Sequence, residues 1–263
     1  MKIQENIDLK KYNTFGIKAI AKEFIELNSK EEALDFIKTK SLLDIKHLIL
    51  GGGSNILLTE NFNGIIVKNN LKGVEIKEED EESVTLWVGA GECWHEFVLY
   101  CISNHYSGIE NLSLIPGCVG ASPMQNIGAY GVEVKDVITR VETIRLSDAK
   151  IVEFKNEECE FDYRSSIFKT SHKNQFFISA VEFKLSKIPT FKVSYGDIKK
   201  QLEKNKITEE NLSIKAISDA VIAIRKRKLP DPSLIGNSGS FFKNPIINKA
   251  CLLYTSDAAD EED

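Results

Sequence analysis

Two short segments place residues that could do chemistry where packing alone does not call for them. The first, Tyr163, Arg164, Ser165, Ser166, Ile167, Phe168, Lys169, sets a guanidinium among hydroxyls. A planar, permanently charged guanidinium suits a carboxylate, so Arg164 reads as a candidate anion partner. The second, Gly236 to Pro245 (GNSGSFFKNP), holds Ser240 between a glycine and two phenylalanines. Position 242 is Phe, so the Gly-x-Ser-x-Gly spacing of a hydrolase nucleophile fails and Ser240 reads as a positioned proton donor. A third segment, Ser194, Tyr195, Gly196, Asp197, displays an aromatic hydroxyl on a turn and means little alone.

Glycine-rich stretches suggest what these groups act beside. Ile115 to Gly131 (IPGCVGASPMQNIGAYG) carries Gly117, Gly120, Gly128 and Gly131, with Pro116, Ser122, Gln125, Asn126 and Tyr130 among them. No ordinary helix or strand tolerates that density, so the segment reads as main chain wrapped against a large polar cofactor. A second turn strengthens this: the short apolar run His47 to Leu50 enters Gly51, Gly52, Gly53, Ser54 and Asn55, whose consecutive amides could cradle a pyrophosphate. A lone glycine triplet reads as a tight turn, but two such loops favour a cofactor.

The common nucleotide signatures fail. After Gly51 and Gly53 the third glycine position of a dinucleotide fingerprint is Ile56, and after Gly89 and Gly91 it is Trp94. No glycine loop ends in Gly-Lys-Ser or Gly-Lys-Thr, so a phosphate-loop nucleotidase has no support. A flavin held by another fold stays open.

Several elements must position these loops. Ser29 with Glu32 resembles a capping box opening a helix that carries Ala33, Leu34, Phe36 and Ile37. His47 to Leu50, Gly64 to Lys68, Val74 to Lys77 and Val84 to Val88 read as strands, with the acidic run Glu78 to Glu82 as a solvated hairpin tip. From Trp94, apolar residues recur at Phe97, Val98, Cys101 and Ile102, which predicts an amphipathic helix whose aromatics are core. Val137 to Leu146 and Phe177 to Leu185 alternate like strands and enclose the excursion containing Arg164. A final helix, Ile214 to Lys228, presents Ile217, Val221 and Ile224 on one face.

With 263 residues, 42% of them hydrophobic, the chain is long enough to bury substantial cores and to divide into two or three domains. A net charge of -5 and no basic stripe argue against a nucleic-acid partner. No apolar run approaches the roughly 20 residues that span a bilayer, and the N-terminus lacks a signal-peptide core, so no membrane partner and a cytoplasmic location are expected. Cys93, Cys101, Cys118, Cys159 and Cys251 contain no CxxC and read as reduced packing residues. His47, His95, His105 and His172 show no ligand spacing, and no metal is expected.

Taken together, Asn13-Thr14-Phe15-Gly16-Ile17, GGGSN at 51 to 55, the 115 to 131 segment, YRSSIFK at 163 to 169, and KLPDP with GNSGSFFKNP at 228 to 245 resemble the UDP-N-acetylenolpyruvoylglucosamine reductase family. The resemblance runs in order from about residue 12 to residue 246. It implies an α+β fold: two FAD-binding subdomains of the vanillyl-alcohol-oxidase-like (PCMH-type) kind at 1–70 and 71–218, then the start of a substrate-binding domain at 219–250. In family terms FAD is the cofactor and NADPH the hydride source. The reduced bond is the enolpyruvyl double bond of a UDP-sugar, in peptidoglycan precursor synthesis. The residues matched to FAD are Gly51, Gly52, Gly53, Ser54 and Asn55 in one loop. In the other they are Pro116, Gly117, Gly120, Ser122, Gln125 and Asn126, continuing through Gly128, Ala129, Tyr130 and Gly131. Arg164 and Ser240 match the catalytic cation and proton donor, while Tyr163, Tyr195, Lys228 and Asn244 match substrate contacts.

The family's catalytic glutamate should follow Asn248, and no residue here takes its role. Residues 251–263 (CLLYTSDAADEED) carry no family motif and look like a non-native tail, so a C-terminally truncated, inactive monomer is expected. Two other readings stand beside this one. One is an FAD-dependent oxidase of the wider superfamily, against which GNSGSFFKNP argues; the other is a noncatalytic FAD-binding protein, against which Arg164 and Ser240 argue.

Overall fold

The computed structural model describes residues 2–242 and Asn244. Its first sheet holds β1 (Gln4–Asp8), β2 (Ile20–Leu27), β3 (His47–Leu50) and β4 (Phe62–Asn69) in the order β1-β2-β4-β3. The β1 strand pairs antiparallel with β2, whereas β4 runs parallel to both β2 and β3. Helix α1 (Lys30–Thr39) connects β2 to β3 and starts where expected: Ser29 Oγ accepts from Glu32 N at 3.1 Å. The Glu32 carboxylate reaches back to Asn28 N at 2.8 Å, one residue before the cap. Ala33, Phe36 and Ile37 then face Ile25, Leu27, Ile65 and Val67 of the sheet.

The second sheet is antiparallel throughout, in the order β10-β9-β11-β6-β5. Its strands are β5 (Val74–Glu79), β6 (Ser83–Gly89), β9 (Ile138–Arg145), β10 (Ile151–Lys155) and β11 (Phe176–Ser186). Between β6 and β9 the chain forms α2 (Trp94–Ser103) and a small hairpin of β7 (Gly128–Ala129) and β8 (Val132–Glu133). The 3.6-residue period works as read: Trp94, Phe97, Val98 and Cys101 are buried against Leu86, Val181 and Phe183. Fully burying each such aromatic or aliphatic side chain stabilises by about 1.5–3 kcal/mol.

The opposite face of this sheet meets α1, because Ile144, Leu146 and Phe177 join the same buried cluster as Phe36 and Leu42. Polar groups fix the contact. Lys30 Nζ lies 2.7 Å from Glu142 Oε2, whose other oxygen accepts from Ser179 Oγ at 2.6 Å. At the end of β4, buried Asn69 donates to Ile178 O at 2.8 Å and accepts from Leu71 N at 3.3 Å.

A third core forms where α3 (Ile198–Lys204) packs on α4 (Ile214–Lys228), with Ile198, Leu202, Ile217, Val221 and Ile224 interlocked. The expected division after residue 218 falls inside α4, whose buried residues lie on both sides of that point. Residues 251–263, including Cys251, lie outside the described residues. Among the described residues no helix is long and apolar enough to cross a membrane.

Replacing Asn69 by Leu leaves Ile178 O without its donor at the junction of the sheets. The expected loss is about 1–3 kcal/mol, read as a lower urea midpoint at unchanged slope. An unchanged midpoint would show that the junction does not depend on this side chain.

Candidate active site

The site grows from the contact between the two glycine-bearing loops. A methyl added at Gly52 would meet Gly117 Cα at 2.8 Å, so the two backbones touch and position 52 has no room for a side chain. Gly117 also sits at φ +118°, a conformation open to glycine. Across the gap Asn55 Nδ2 donates to Gln125 Oε1 at 3.0 Å, and Lys68 Nζ donates to Gly51 O at 3.0 Å behind the first loop. The N-terminal Asn13-Thr14-Phe15 turn closes the other side. Buried Asn13 bonds Leu9 O and Ile17 O, while Thr14 N donates to Gly53 O at 3.1 Å.

Arg164 and Ser240, 76 residues apart, come together. Arg164 Nη1 donates to Ser240 O at 3.0 Å and Nη2 to Ser240 Oγ at 3.3 Å. The arginine is at φ +52° on a two-residue turn closed by paired Asp162 and Ser165 backbone bonds. That turn is anchored on the second glycine-bearing segment through Ser166 Oγ to Met124 O at 2.8 Å and Asn126 Nδ2 to Asp162 O at 3.2 Å. Strained backbone held by its surroundings is typical of functional sites. Ser240 is placed by its own segment, where Asn237 N donates to Thr14 O at 3.0 Å and Phe241 packs edge-on against Phe15.

These pieces enclose a cavity of about 310 Å³ whose walls include Ser54, Asn55, Pro116, Ser122 and Gln125. Gly128, Ala129, Tyr130, Arg164, Tyr195 and Ser240 complete the expected residues on it. A second cavity of about 180 Å³, lined by Gly51, Gly120, Phe168, His172 and Phe176, meets the first at Ala121. Each holds an unsatisfied polar atom: Ser122 Oγ faces the larger and His172 Nδ1 belongs to the smaller, both buried without a hydrogen-bond partner. Orphaned buried polar atoms are rare, and here they fit an elongated polar cofactor lying across both cavities.

The sequence reading gives every loop glycine to the cofactor, and the structure divides them. Gly52, Gly53 and Gly117 line neither cavity and instead allow the loops and the Tyr12 carbonyl to approach each other. Asn126 is consumed by Asp162 O and Lys135 N, and Gly131 packs beside Tyr195. Tyr163 and exposed Asn244 are not on the cavity walls. Lys228, expected on the substrate, pairs with Asp197 at 2.8 Å next to the Tyr195 turn. The mutual bond holds the Asp197 carboxyl below and the Lys228 ammonium above their ordinary ranges.

One lining residue escaped the sequence reading. Arg225 of α4 enters the larger cavity and donates from Nε to Leu114 O at 3.2 Å. Burial pulls its pKa down, opposed by the Tyr130 hydroxyl. Its signal was present as a charge four residues after Val221, on the flank of the helix's apolar face. Among the described residues the cavity therefore carries two arginines and no carboxylate. Behind Arg225, Leu114 sits at φ +57° and its N–H donates to His95 Nδ1 at 3.0 Å. Of the cysteines, Cys101 and Cys159 are buried, and burial pushes the Cys159 thiol up to about 12. Cys93 is exposed and is not a packing residue, because its side chain leaves the core at the cap of α2.

The FAD binding domain family matches residues 21–155 of the chain. The fold has a solved counterpart in 6-hydroxy-D-nicotine oxidase from Arthrobacter nicotinovorans, with a TM-score of 0.52, 13% identity and coverage of 70% of this chain and 42% of that one. Fold and match define an FAD-binding protein with the PCMH-type fold.

Closer relatives narrow the class. The UDP-N-acetylenolpyruvoylglucosamine reductase of Amoebophilus asiaticus is 50% identical over 250 residues, spanning 95% of this chain and 73% of that protein. That of Flavobacterium johnsoniae is 51% identical over 251 residues, with the same coverage of 95% and 73%. The crystal structure of the Thermus caldophilus UDP-N-acetylenolpyruvylglucosamine reductase superposes with a TM-score of 0.65 at 24% identity, over 98% of this chain and 80% of that one. The chain belongs to the UDP-N-acetylenolpyruvoylglucosamine reductase family.

Two outcomes follow from this geometry. Gly52→Ala forces the loops apart by its contact with Gly117 and is expected to destabilise by about 1–3 kcal/mol, read as a lower melting temperature. An unchanged melting temperature would mean that the loops are not in contact in solution. Burial, with Lys226 and Arg225 adding to it and Glu96 opposing, lowers the His95 pKa below its ordinary 6.5. The neutral ring therefore stabilises fully above pH 6.5, and that contribution is lost as pH falls from there toward the folded value. Melting temperature should drop between about pH 7.5 and about pH 5.5, and less steeply in His95→Gln. Equal slopes in the two proteins would remove His95 as the cause.

Proposed function

We propose that this chain binds FAD across its two cavities and takes part in the NADPH-dependent reduction of the enolpyruvyl double bond of UDP-N-acetylenolpyruvoylglucosamine, in peptidoglycan precursor synthesis. The observation that carries the reading is the Arg164–Ser240 contact on a wall bearing a second arginine and no carboxylate among the described residues. Bound FAD supplies hydride-transfer chemistry that amino-acid side chains lack.

The protein's own groups would then do the rest. Ser122 Oγ and His172 Nδ1 offer the unmatched polar contacts for the cofactor, and Phe168 and Phe176 offer flat apolar walls in the smaller cavity. Arg164 holds the substrate carboxylate, onto which negative charge spreads as the double bond is reduced. Ser240 Oγ, already oriented by the same guanidinium, donates a proton to the carbon next to that carboxylate. Tyr195 is 61% exposed at the cavity mouth and, with Lys228, lies where a long anionic substrate would leave the pocket.

Titrating the purified chain with FAD should produce a flavin absorbance spectrum, and adding the UDP-enolpyruvyl sugar should perturb it. Arg164→Met is expected to keep the flavin spectrum and weaken the sugar-induced change by about 100-fold or more in apparent affinity. If FAD leaves no spectrum on the protein, the cavity assignment falls. If Arg164→Met responds to the sugar like the parent, the carboxylate assignment falls.

A further inference from the structure

The cap of α2 and the glycine-bearing segment run side by side at one point outside the catalytic pair. Trp94 N donates to Gly117 O at 3.0 Å and Val119 N donates to Glu92 O at 2.9 Å. Those two bonds flank an antiparallel bridge between Cys93 and Cys118. The pair is therefore of the non-hydrogen-bonded kind, whose Cα atoms lie about 4.5 Å apart with both side chains on one side of the ribbon. That separation is inside the roughly 4.4–6.8 Å range a disulfide spans, so no backbone movement is needed to join the sulfurs.

We propose that Cys93 and Cys118 form a reversible disulfide that locks the start of α2 to the wall of the larger cavity. The two sulfurs differ in the way such a pair requires. Cys93 is exposed, whereas Cys118 is half-buried, lines the cavity and touches the Gly51 position of the other loop. Burial raises the Cys118 thiol, with Lys68 and Lys72 opposing that rise. A low-molecular-weight disulfide such as oxidised glutathione is the oxidant. The Cys93 thiolate attacks one of its sulfurs, giving a mixed disulfide and one glutathione thiolate. The Cys118 thiolate then attacks Cys93 Sγ and displaces the second. Two cysteines lose two electrons, the small disulfide gains them, and the two thiol protons end on the released glutathione. Excess reduced thiol reverses both steps.

Locking has a consequence for the cavity because Gly117 and Cys118 are the residues against which Gly52 and Gly51 pack. The inference rests on backbone pairing and holds whichever cofactor fills the site. It is tested on the full chain in a Cys251→Ser background, equilibrated with oxidised or reduced glutathione, alkylated and mapped by peptide mass spectrometry. The expected result is a peptide cross-linked through Cys93 and Cys118, absent in Cys93→Ser and in Cys118→Ser, with Cys101 and Cys159 free. The oxidised protein should melt about 5 °C or more above the reduced one, a difference that either serine variant abolishes. Circular dichroism of the variants under reducing conditions establishes that they fold. Alkylation of both thiols after oxidation, a stable mixed disulfide confined to Cys93, or a cross-link that leaves the melting temperature unchanged would each overturn the proposal.

Discussion

The approach of two backbones at Gly52 and Gly117 is the constraint on which the site depends. Each loop leaves a different sheet system: Gly51 to Asn55 continues β3, and the 115 to 131 segment follows α2. A cavity between them therefore exists only if the two systems are held at a fixed separation. The Lys30–Glu142–Ser179 group, Asn69 and the shared cluster around Phe36 and Phe177 fix that separation. Only Glu142 is buried in the Lys30–Glu142 pair, and losing Lys30 would leave its carboxylate without a cation, so the arrangement resists small adjustments. The catalytic candidates are then carried on the second segment: Ser166 and Asn126 tie the Arg164 turn to it, while Thr14 and Phe15 position Ser240 from the opposite side.

Legibility in the sequence followed how far each element's pattern was local. The α4 helix and β3 could be read to the residue because an apolar face and a glycine stop are local signals. The β2 strand was not read at all. Ile25 and Leu27 face the α1 cluster while Phe24 joins Leu9, Leu50 and Ile66 on the other side, so burial on both faces erases the two-residue alternation. Polar β1 and short α3 are stabilised by their neighbours, β2 and α4, and neither signals itself. At the site, residue types pointed to Arg164 and Ser240, but only the fold brings them within hydrogen-bonding distance. Composition also cannot distinguish backbone that approaches a ligand from backbone that approaches backbone: Gly52 and Gly117 meet each other, whereas Gly51, Gly120 and Gly128 line the cavities.

Four of the ten non-glycine residues at positive φ among the described residues lie where the loops converge. Leu114, Asn126, Tyr130 and Arg164 all adopt positive φ, a conformation that costs a non-glycine residue of order 1 kcal/mol or more. Each is held by bonds from another element: Leu114 by His95 and Arg225, Tyr130 O by Asn111, and Asn126 by Lys135 and Asp162. The tertiary structure thus overrides local preference at Tyr130 and Arg164, which line the cavity, and at Leu114 and Asn126 beside them.

The electrostatics carry the same logic one step further. Arg225 is drawn from water far enough for burial to lower its pKa, and Arg164 is oriented by a neutral serine instead of a carboxylate. With Ser122 Oγ and His172 Nδ1 also unmatched, the fold by itself retains desolvation penalties that internal pairing would have removed. An acidic residue on the wall would stabilise the free protein but would compete with an anionic ligand for both guanidinium groups. With no carboxylate beside these cations among the described residues, that stabilisation shifts into the complex. Ligand occupancy and folding stability are then coupled by mass action, and the protein's resistance to unfolding should report on what fills its cavities.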